Sequence, residues 1–197
     1  NKNPFDMFLD YPEPFVPRYL TLPVKERINA EGGVDTPLDE EAVKAQTLKL
    51  KGYNVEAIAV CFLWSTVNPA HEQRAAELIH EVWPDVTVVL SSEVNPSNRE
   101  YRRWVSAAMD ASLRKLISSY ANDLNGRLND AGFVGKVGML NAAGGVMSTN
   151  EIVNRPLYSV DSGPSMAPVA GRKYAEDDLG EQNAVVLDMG GTTFDVS

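Results

Sequence analysis

Hydrophobic and polar positions along this chain fall into two alternating patterns. Ala57 to Trp64 (AIAVCFLW) and Val86 to Leu90 (VTVVL) are continuous apolar runs bounded by polar residues, which predicts strands buried on both faces. Between them, Ala75, Leu78, Ile79 and Val82 recur at helical spacing. Asn68 as N-cap, Pro69 at the first helical position and Glu72 in the first turn mark the start of that helix, and Pro84 ends it. Residues 57–90 therefore predict a strand-helix-strand unit.

Flanking segments follow the same logic. Residues 1–23 carry Pro4, Pro12, Pro14, Pro17 and Pro23, a density that forbids a regular helix and predicts an extended lead-in. Leu20 to Ile28 reads as strand-like, Asn29 to Pro37 as a turn around Gly32 and Gly33, and Asp39 as the N-cap of a helix to Leu50. From Glu100 to about Leu128, Leu113, Leu116, Ile117, Tyr120, Leu124 and Leu128 repeat at three or four along one long helix that closes at Gly132. Beyond it come a short strand Val137 to Leu140, a Gly144-Gly145 turn, a helix from Ser165 to Tyr174, and a strand Ala184 to Leu187. This last strand runs into Asp188-Met189-Gly190-Gly191-Thr192-Thr193-Phe194-Asp195.

Charge narrows the chemistry. Eighteen basic against 27 acidic residues give a net charge of -9, so neither nucleic acid nor an anionic membrane surface is an expected partner. Any phosphate must be held by backbone N–H groups and a metal ion rather than by a basic patch. The one cysteine, Cys61, lies in an apolar run and reads as a small buried hydrophobe of a cytoplasmic protein. No apolar stretch approaches the ~20 residues of a membrane span. The first residues, Asn-Lys-Asn-Pro, show no signal-peptide pattern and no initiator methionine, and read as the interior of a longer polypeptide.

The segment ending the chain carries the chemistry. Two glycines let the backbone turn tightly and approach a ligand, and the N–H and hydroxyl groups of Thr192 and Thr193 donate to phosphate oxygens. Asp188 is placed to hold Mg2+ directly or through water. A β-hairpin in which Gly-Gly-Thr-Thr merely turns the chain remains the structural alternative. A Walker A loop is excluded, because no Gly-Lys-Ser/Thr closes a glycine-rich segment.

Asp-x-Gly-Gly-Thr-x-x-Asp resembles the phosphate loops of the sugar kinase, heat-shock protein and actin superfamily. Further segments make the resemblance specific: Glu26-Arg27-Ile28, Pro37-Leu38-Asp39, Ala59 to Leu63, Asn68-Pro69-Ala70-His71-Glu72, Ser91-Ser92-Glu93-Val94, Arg99-Glu100-Tyr101, Gly144 to Met147, Arg155-Pro156 and Ser162-Gly163-Pro164. In that order they resemble the hydantoinase A and 5-oxoprolinase family, which includes a subunit type of acetone and acetophenone carboxylases.

The resemblance implies an α/β fold of ribonuclease H-like, actin-like ATPase halves. Residues 1–133 would end the N-terminal hydantoinase/oxoprolinase domain, and 134–197 would begin the hydantoinase A domain, the chain stopping just inside its second phosphate loop. It further implies ATP and Mg2+ as cofactors, with a cyclic amide (hydantoin, 5-oxoproline or another lactam) activated by phosphorylation for ring opening. A ketone carboxylase subunit and a non-catalytic nucleotide-binding module are the alternatives. Asp188 and Asp195 take catalytic roles, Asp188 as the Mg2+ ligand, and Gly190, Gly191, Thr192 and Thr193 bind the nucleotide phosphates. A second, hydantoinase B-type subunit or domain and a homo-oligomer are the implied partners. Thr193-Phe194, and the run Trp104 to Ala111 after Arg103, depart from many hydantoinase-like sequences, which keeps the carboxylase reading open.

The remaining candidates read more plainly. His71 and His80 lie about two and a half turns apart on one helix, a poor spacing for a shared metal, and read as structural or solvated. Arg99, Glu100, Arg102 and Arg103 read as a solvated helix start, although the resemblance also places Arg99 and Glu100 near a cleft. Ser162-Gly163-Pro164 is either an anion-facing helix start or a plain turn.

Overall fold

The structure is a computed structural model that describes residues 7–8 and 13–197. It divides into two compact units, Asn1–Met109 and Asp110–Ser197. Pro4, Pro12 and the parts of the extended lead-in at residues 1–6 and 9–12 lie outside the described residues.

In the first unit, β1 (Arg27–Ile28) pairs antiparallel with β2 (Val34–Thr36). The Asn29 side chain organises the turn between them: its Oδ1 accepts from Glu31 N and Gly33 N, at 3.1 and 2.8 Å. Gly32 takes φ +86°, a left-handed conformation that costs glycine little. Helix α1 (Glu40–Gly52) is capped by Asp39, whose carboxylate accepts from Ala42 N at 2.9 Å. Strand β3 (Ala57–Val60) then pairs in parallel with β4 (Thr87–Leu90), from Ala57 opposite Thr87 to Val60 opposite Leu90. Helix α2 (Ala70–Val82) is the crossover between them, so the predicted strand-helix-strand unit is present.

Val43, Ile58, Val60, Ala75, Leu78, Ile79, Val86 and Leu90 form its core. Each buried aliphatic side chain of this size contributes about 1.5–3 kcal/mol. Arg74 on α2 forks onto the Glu40 carboxylate of α1 at 2.8 and 2.9 Å, an exposed contact that adds little beside that core. A single turn, α3 (Ser91–Val94), follows β4, and the long helix α4 (Glu100–Asp130) begins in this unit and continues into the second.

The second unit opens on Asp110 of α4. This helix ends at Gly132, φ +81°, with Phe133 N donating back to Leu128 O at 2.9 Å. A hairpin of β5 (Gly138–Leu140) and β6 (Val146–Ser148) leads into α5 (Thr149–Asn154), started by a Ser148/Glu151 capping box. A 3-10 turn, Pro156–Ser159, precedes α6 (Ser162–Tyr174), which runs into one π turn, Ala175–Leu179, and stops at Gly180. The last elements are β7 (Leu187–Met189) and β8 (Phe194–Val196), antiparallel.

Several expectations need correction. Leu20 to Ile28 is strand only at Arg27–Ile28, since Pro23 has no N–H to give a ladder and residues 18–20 close a 3-10 turn. The Asn29 to Pro37 turn occupies only its first half, because Val34–Thr36 returns as β2. Strand β3 ends at Val60 and is buried on one face, with Ile58 and Val60 inward and Ala57 and Ala59 half-exposed. The Ala-rich helix starts three residues earlier, at Ser162. On α4 the apolar repeat is only partly inward: Leu113, Ile117, Leu124 and Leu128 are half-buried, Leu116 and Tyr120 are exposed, and the fully covered positions are Arg103, Ala107, Asp110, Ala111 and Ala121. Alanine's small side chain lets neighbours approach that face closely. The terminal strand begins at Leu187 rather than Ala184 and is exposed, Leu187 by 64% and Met189 by 79%, because its one strand partner is β8.

Candidate phosphate-binding hairpin

The residues singled out at the end of the sequence come together on the β7–β8 hairpin. Val186 and Ser197 exchange backbone hydrogen bonds at 2.9 and 3.1 Å, and Gly190 N donates to Thr193 O at 2.9 Å, leaving Gly191-Thr192 as a two-residue loop. Asp188 stands directly opposite Asp195 in this register. The bonded positions on either side put the pair at a hydrogen-bonded site, where opposed Cα atoms lie about 5.5 Å apart and both side chains share one face. Like charges so placed destabilise a hairpin by about 0.2–1 kcal/mol. That cost is offset if a cation sits between them.

The loop fits the implied phosphate and Mg2+. Neither Gly190 nor Gly191 adopts a left-handed φ, so the turn does not depend on glycine for its conformation. At Gly191 the missing side chain instead leaves its surroundings open: a Cβ added there meets nothing within 4 Å. Asp188, Thr192, Thr193 and Asp195 are exposed. Two carboxylates with two hydroxyls suit Mg2+, which takes one or two carboxylates and fills its shell with water and phosphate oxygens. Among the described residues no group of three or more His, Cys, Asp or Glu side chains converges, so the aspartates stand as a pair. At the base of the hairpin, Gly171 of α6 permits close packing, since a Cβ there would collide with the Val186 side chain.

The other candidates take structural places. His71 Nδ1 contacts Glu26 Oε2 at 2.9 Å, and His80 Nδ1 meets Pro84 O at 3.2 Å, so neither joins the other. Burial pushes the Cys61 thiol up to about 12, reinforced by the Glu72 charge, which leaves it an unreactive thiol near neutral pH. Ser162-Gly163-Pro164 is the first turn of α6, where Ser165 Oγ lies 2.9 Å from Ser162 O and 3.1 Å from Asn141 O. Gly144 turns with φ +77°, and Asn141 Oδ1 accepts from Ala143 N and Gly145 N, so this pair serves a tight turn. Arg99 is exposed just before α4, and Glu100 lies in that helix's first turn.

One polar cluster escaped the sequence reading. Arg103 is fully buried, not solvated: Nε donates to Ser91 Oγ at 3.1 Å, and its terminal nitrogens donate to Ser97 O and Phe62 O, both at 2.8 Å. Glu72, also fully buried, accepts from Phe62 N, Ser91 Oγ, Ser92 N and Ser92 Oγ at 2.6–3.0 Å. A charged residue in the first turn of a helix is ordinary surface chemistry on sequence grounds. Glu72 lies inside one segment that carried the resemblance, Asn68 to Glu72, whereas Arg103 lies two residues past Arg99-Glu100-Tyr101, and nothing local to either marks it as buried.

Comparison with known proteins now decides the family. Residues 1–83 match the model of the hydantoinase/oxoprolinase N-terminal region, and residues 103–197 match that of hydantoinase/oxoprolinase. The chain belongs to the hydantoinase/oxoprolinase family. It is 37% identical over 194 residues to the acetophenone carboxylase gamma subunit of Aromatoleum aromaticum, covering 94% of this chain and 26% of that protein. It is 34% identical over 182 residues to the caprolactamase subunit alpha of Pseudomonas jessenii, covering 92% and 26%. The crystal structure of ATP-dependent caprolactamase from Pseudomonas jessenii superposes with a TM-score of 0.84 at 32% identity, over 100% of this chain and 28% of that one. The mixed α/β fold is thus a family fold, and the chain spans about a quarter of the length of these relatives. Hydantoinase/oxoprolinase-type and carboxylase-type ATP-dependent enzymes both occur among the relatives, several of them subunits of larger enzymes. Among the described residues no helix is long and apolar enough to cross a membrane.

Proposed function

We propose that this chain supplies the second phosphate-binding hairpin of an ATP-dependent enzyme that activates a cyclic amide for hydrolytic ring opening. The reading rests on one observation above others: Asp188 faces Asp195 across a two-residue loop whose Gly191 is open and whose threonine hydroxyls are exposed. Asp188, assisted by Asp195, would hold Mg2+, which when bound neutralises phosphate charge. Loop amides with the Thr192 and Thr193 hydroxyls orient the phosphate oxygens of ATP, in the manner of electrostatic catalysis of phosphoryl transfer. The amide oxygen would take the γ-phosphoryl group as that group's bond to the β,γ-bridging oxygen breaks and ADP leaves. Water then adds to the activated carbon, and the ring opens as the C–N bond breaks and inorganic phosphate is released. Residues 1–133 and 134–197 contribute to successive domains of that enzyme, and a hydantoinase B-type subunit or domain completes it.

The 37% identity to an acetophenone carboxylase gamma subunit favours a second reading, in which a ketone enolate is phosphorylated and carboxylated. An ATP-consumption screen of the full-length protein with its partner subunit separates the two. Turnover stimulated by hydantoin, 5-oxoproline or caprolactam is the expected result. Stimulation only by a ketone with bicarbonate replaces the amidohydrolase reading with the carboxylase one, and ATP consumption indifferent to every substrate contradicts both.

A further inference from the structure

At the carboxyl ends of β3 and β4 the chain assembles hydrogen-bond donors that the phosphate chemistry does not use. Phe62 N, at 2.9 Å, and Ser91 Oγ, at 2.6 Å, point at Glu72 Oε1, while Ser92 N, at 3.0 Å, and Ser92 Oγ, at 2.8 Å, point at Oε2. An ionised carboxylate is acceptor-only with about four lone-pair sites, so these donors saturate it. They come from Phe62, two residues past β3, and from the first two residues of α3 directly after β4, and only the acceptor comes from α2. Behind them the buried Arg103 guanidinium reaches the same Ser91 hydroxyl, which relays between the two charges by donating to Glu72 and accepting from Arg103. Two amides and two hydroxyls converging in front of a buried cation are the donor set that binds free anions.

We propose that this strand end is an anion cradle which the chain fills with its own Glu72 side chain, and that it takes a small free carboxylate once that side chain is removed. Truncation to alanine removes the Cγ methylene and the carboxylate, a group that acetate replaces atom for atom. In the intact protein the tether keeps the local carboxylate concentration high, so external anions do not compete. The filled cradle pins α2 to both strand ends and, through Ser91, holds the first turns of α4 by Arg103. This inference is independent of the ATP reading.

The test is acetate-dependent unfolding of the purified chain, with chloride at matched ionic strength as the control. For Glu72→Ala, acetate at ten times its Kd should lower the unfolding constant about tenfold, while the unaltered chain responds no more to acetate than to chloride. Glu72→Gln keeps the shape but turns an amide N–H2 toward donors. It should be destabilised and acetate should not rescue it. Should Glu72→Ala fail to fold in chloride, recovery on refolding with acetate supports the cradle. Wild-type stability of Glu72→Gln overturns the proposal, as does a Glu72→Ala variant that acetate neither stabilises nor refolds beyond the effect of chloride.

Discussion

Asp110 shows how a single residue sets a pH dependence. Its side chain is fully buried, and burial pushes its carboxyl above the ordinary aspartate range, against the opposing hydrogen bond from Arg114 Nε at 2.8 Å and that from Leu157 N at 3.3 Å. A raised folded-state value means the native chain holds this proton longer than the unfolded chain. Stability from the group is therefore full below about pH 3.9, the unfolded value, and declines as pH rises through the folded one. Asp110→Asn, neutral throughout, should gain on the unaltered chain across that window when urea midpoints are compared. A difference between the two that does not change with pH contradicts the assignment. Asp39 was readable as a cap because capping is local chemistry, and Asn68 nearly so: its Oδ1 accepts from Ala70 N at 3.1 Å, although Pro69 precedes the helix rather than opening it. Buried Arg103 and Glu72 were not readable, since their partners lie up to 41 residues away in sequence.

Elements with a local start signal emerged where expected, and α5 carries one the sequence reading passed over. Ser148 Oγ accepts from Glu151 N at 3.2 Å while Glu151 Oε2 accepts from Ser148 N at 2.9 Å. Ser148→Ala removes the cap and should lower stability by about 1 kcal/mol in chemical denaturation. No measurable loss would show that α5 is held by the packing of Ile152 and not by its cap. The parallel β3–β4 pair was legible from apolar runs separated by a capped helix. Its one-sided burial was not, because a continuous apolar run does not reveal which neighbours cover it. The terminal hairpin teaches the same lesson: Ala184 to Leu187 reads as a strand, yet Leu187, Met189, Phe194 and Val196 are all exposed, as the β7–β8 sheet has two strands.

At the scale of the whole molecule, the acidic balance of the chain bears on the chemistry expected of it. With a net charge of -9, phosphate recognition was expected from amides, hydroxyls and carboxylate-bound metal, and the hairpin presents those groups around an open glycine. Family membership was legible because its motifs are spread over nearly the whole sequence, and two successive family matches cover residues 1–83 and 103–197. Substrate choice was not, since relatives that keep this architecture include both lactam hydrolases and ketone carboxylases. The central claim is that the Asp188–Asp195 hairpin handles the phosphates of ATP. Its most direct test is substrate-stimulated ATP turnover by the full-length protein carrying Asp188→Ala, with Gly191→Val as a second variant that fills the open loop. The account predicts a loss of roughly a hundredfold or more in kcat for Asp188→Ala and a comparable loss for Gly191→Val, with the fold intact by circular dichroism. Undiminished turnover in Asp188→Ala would contradict it.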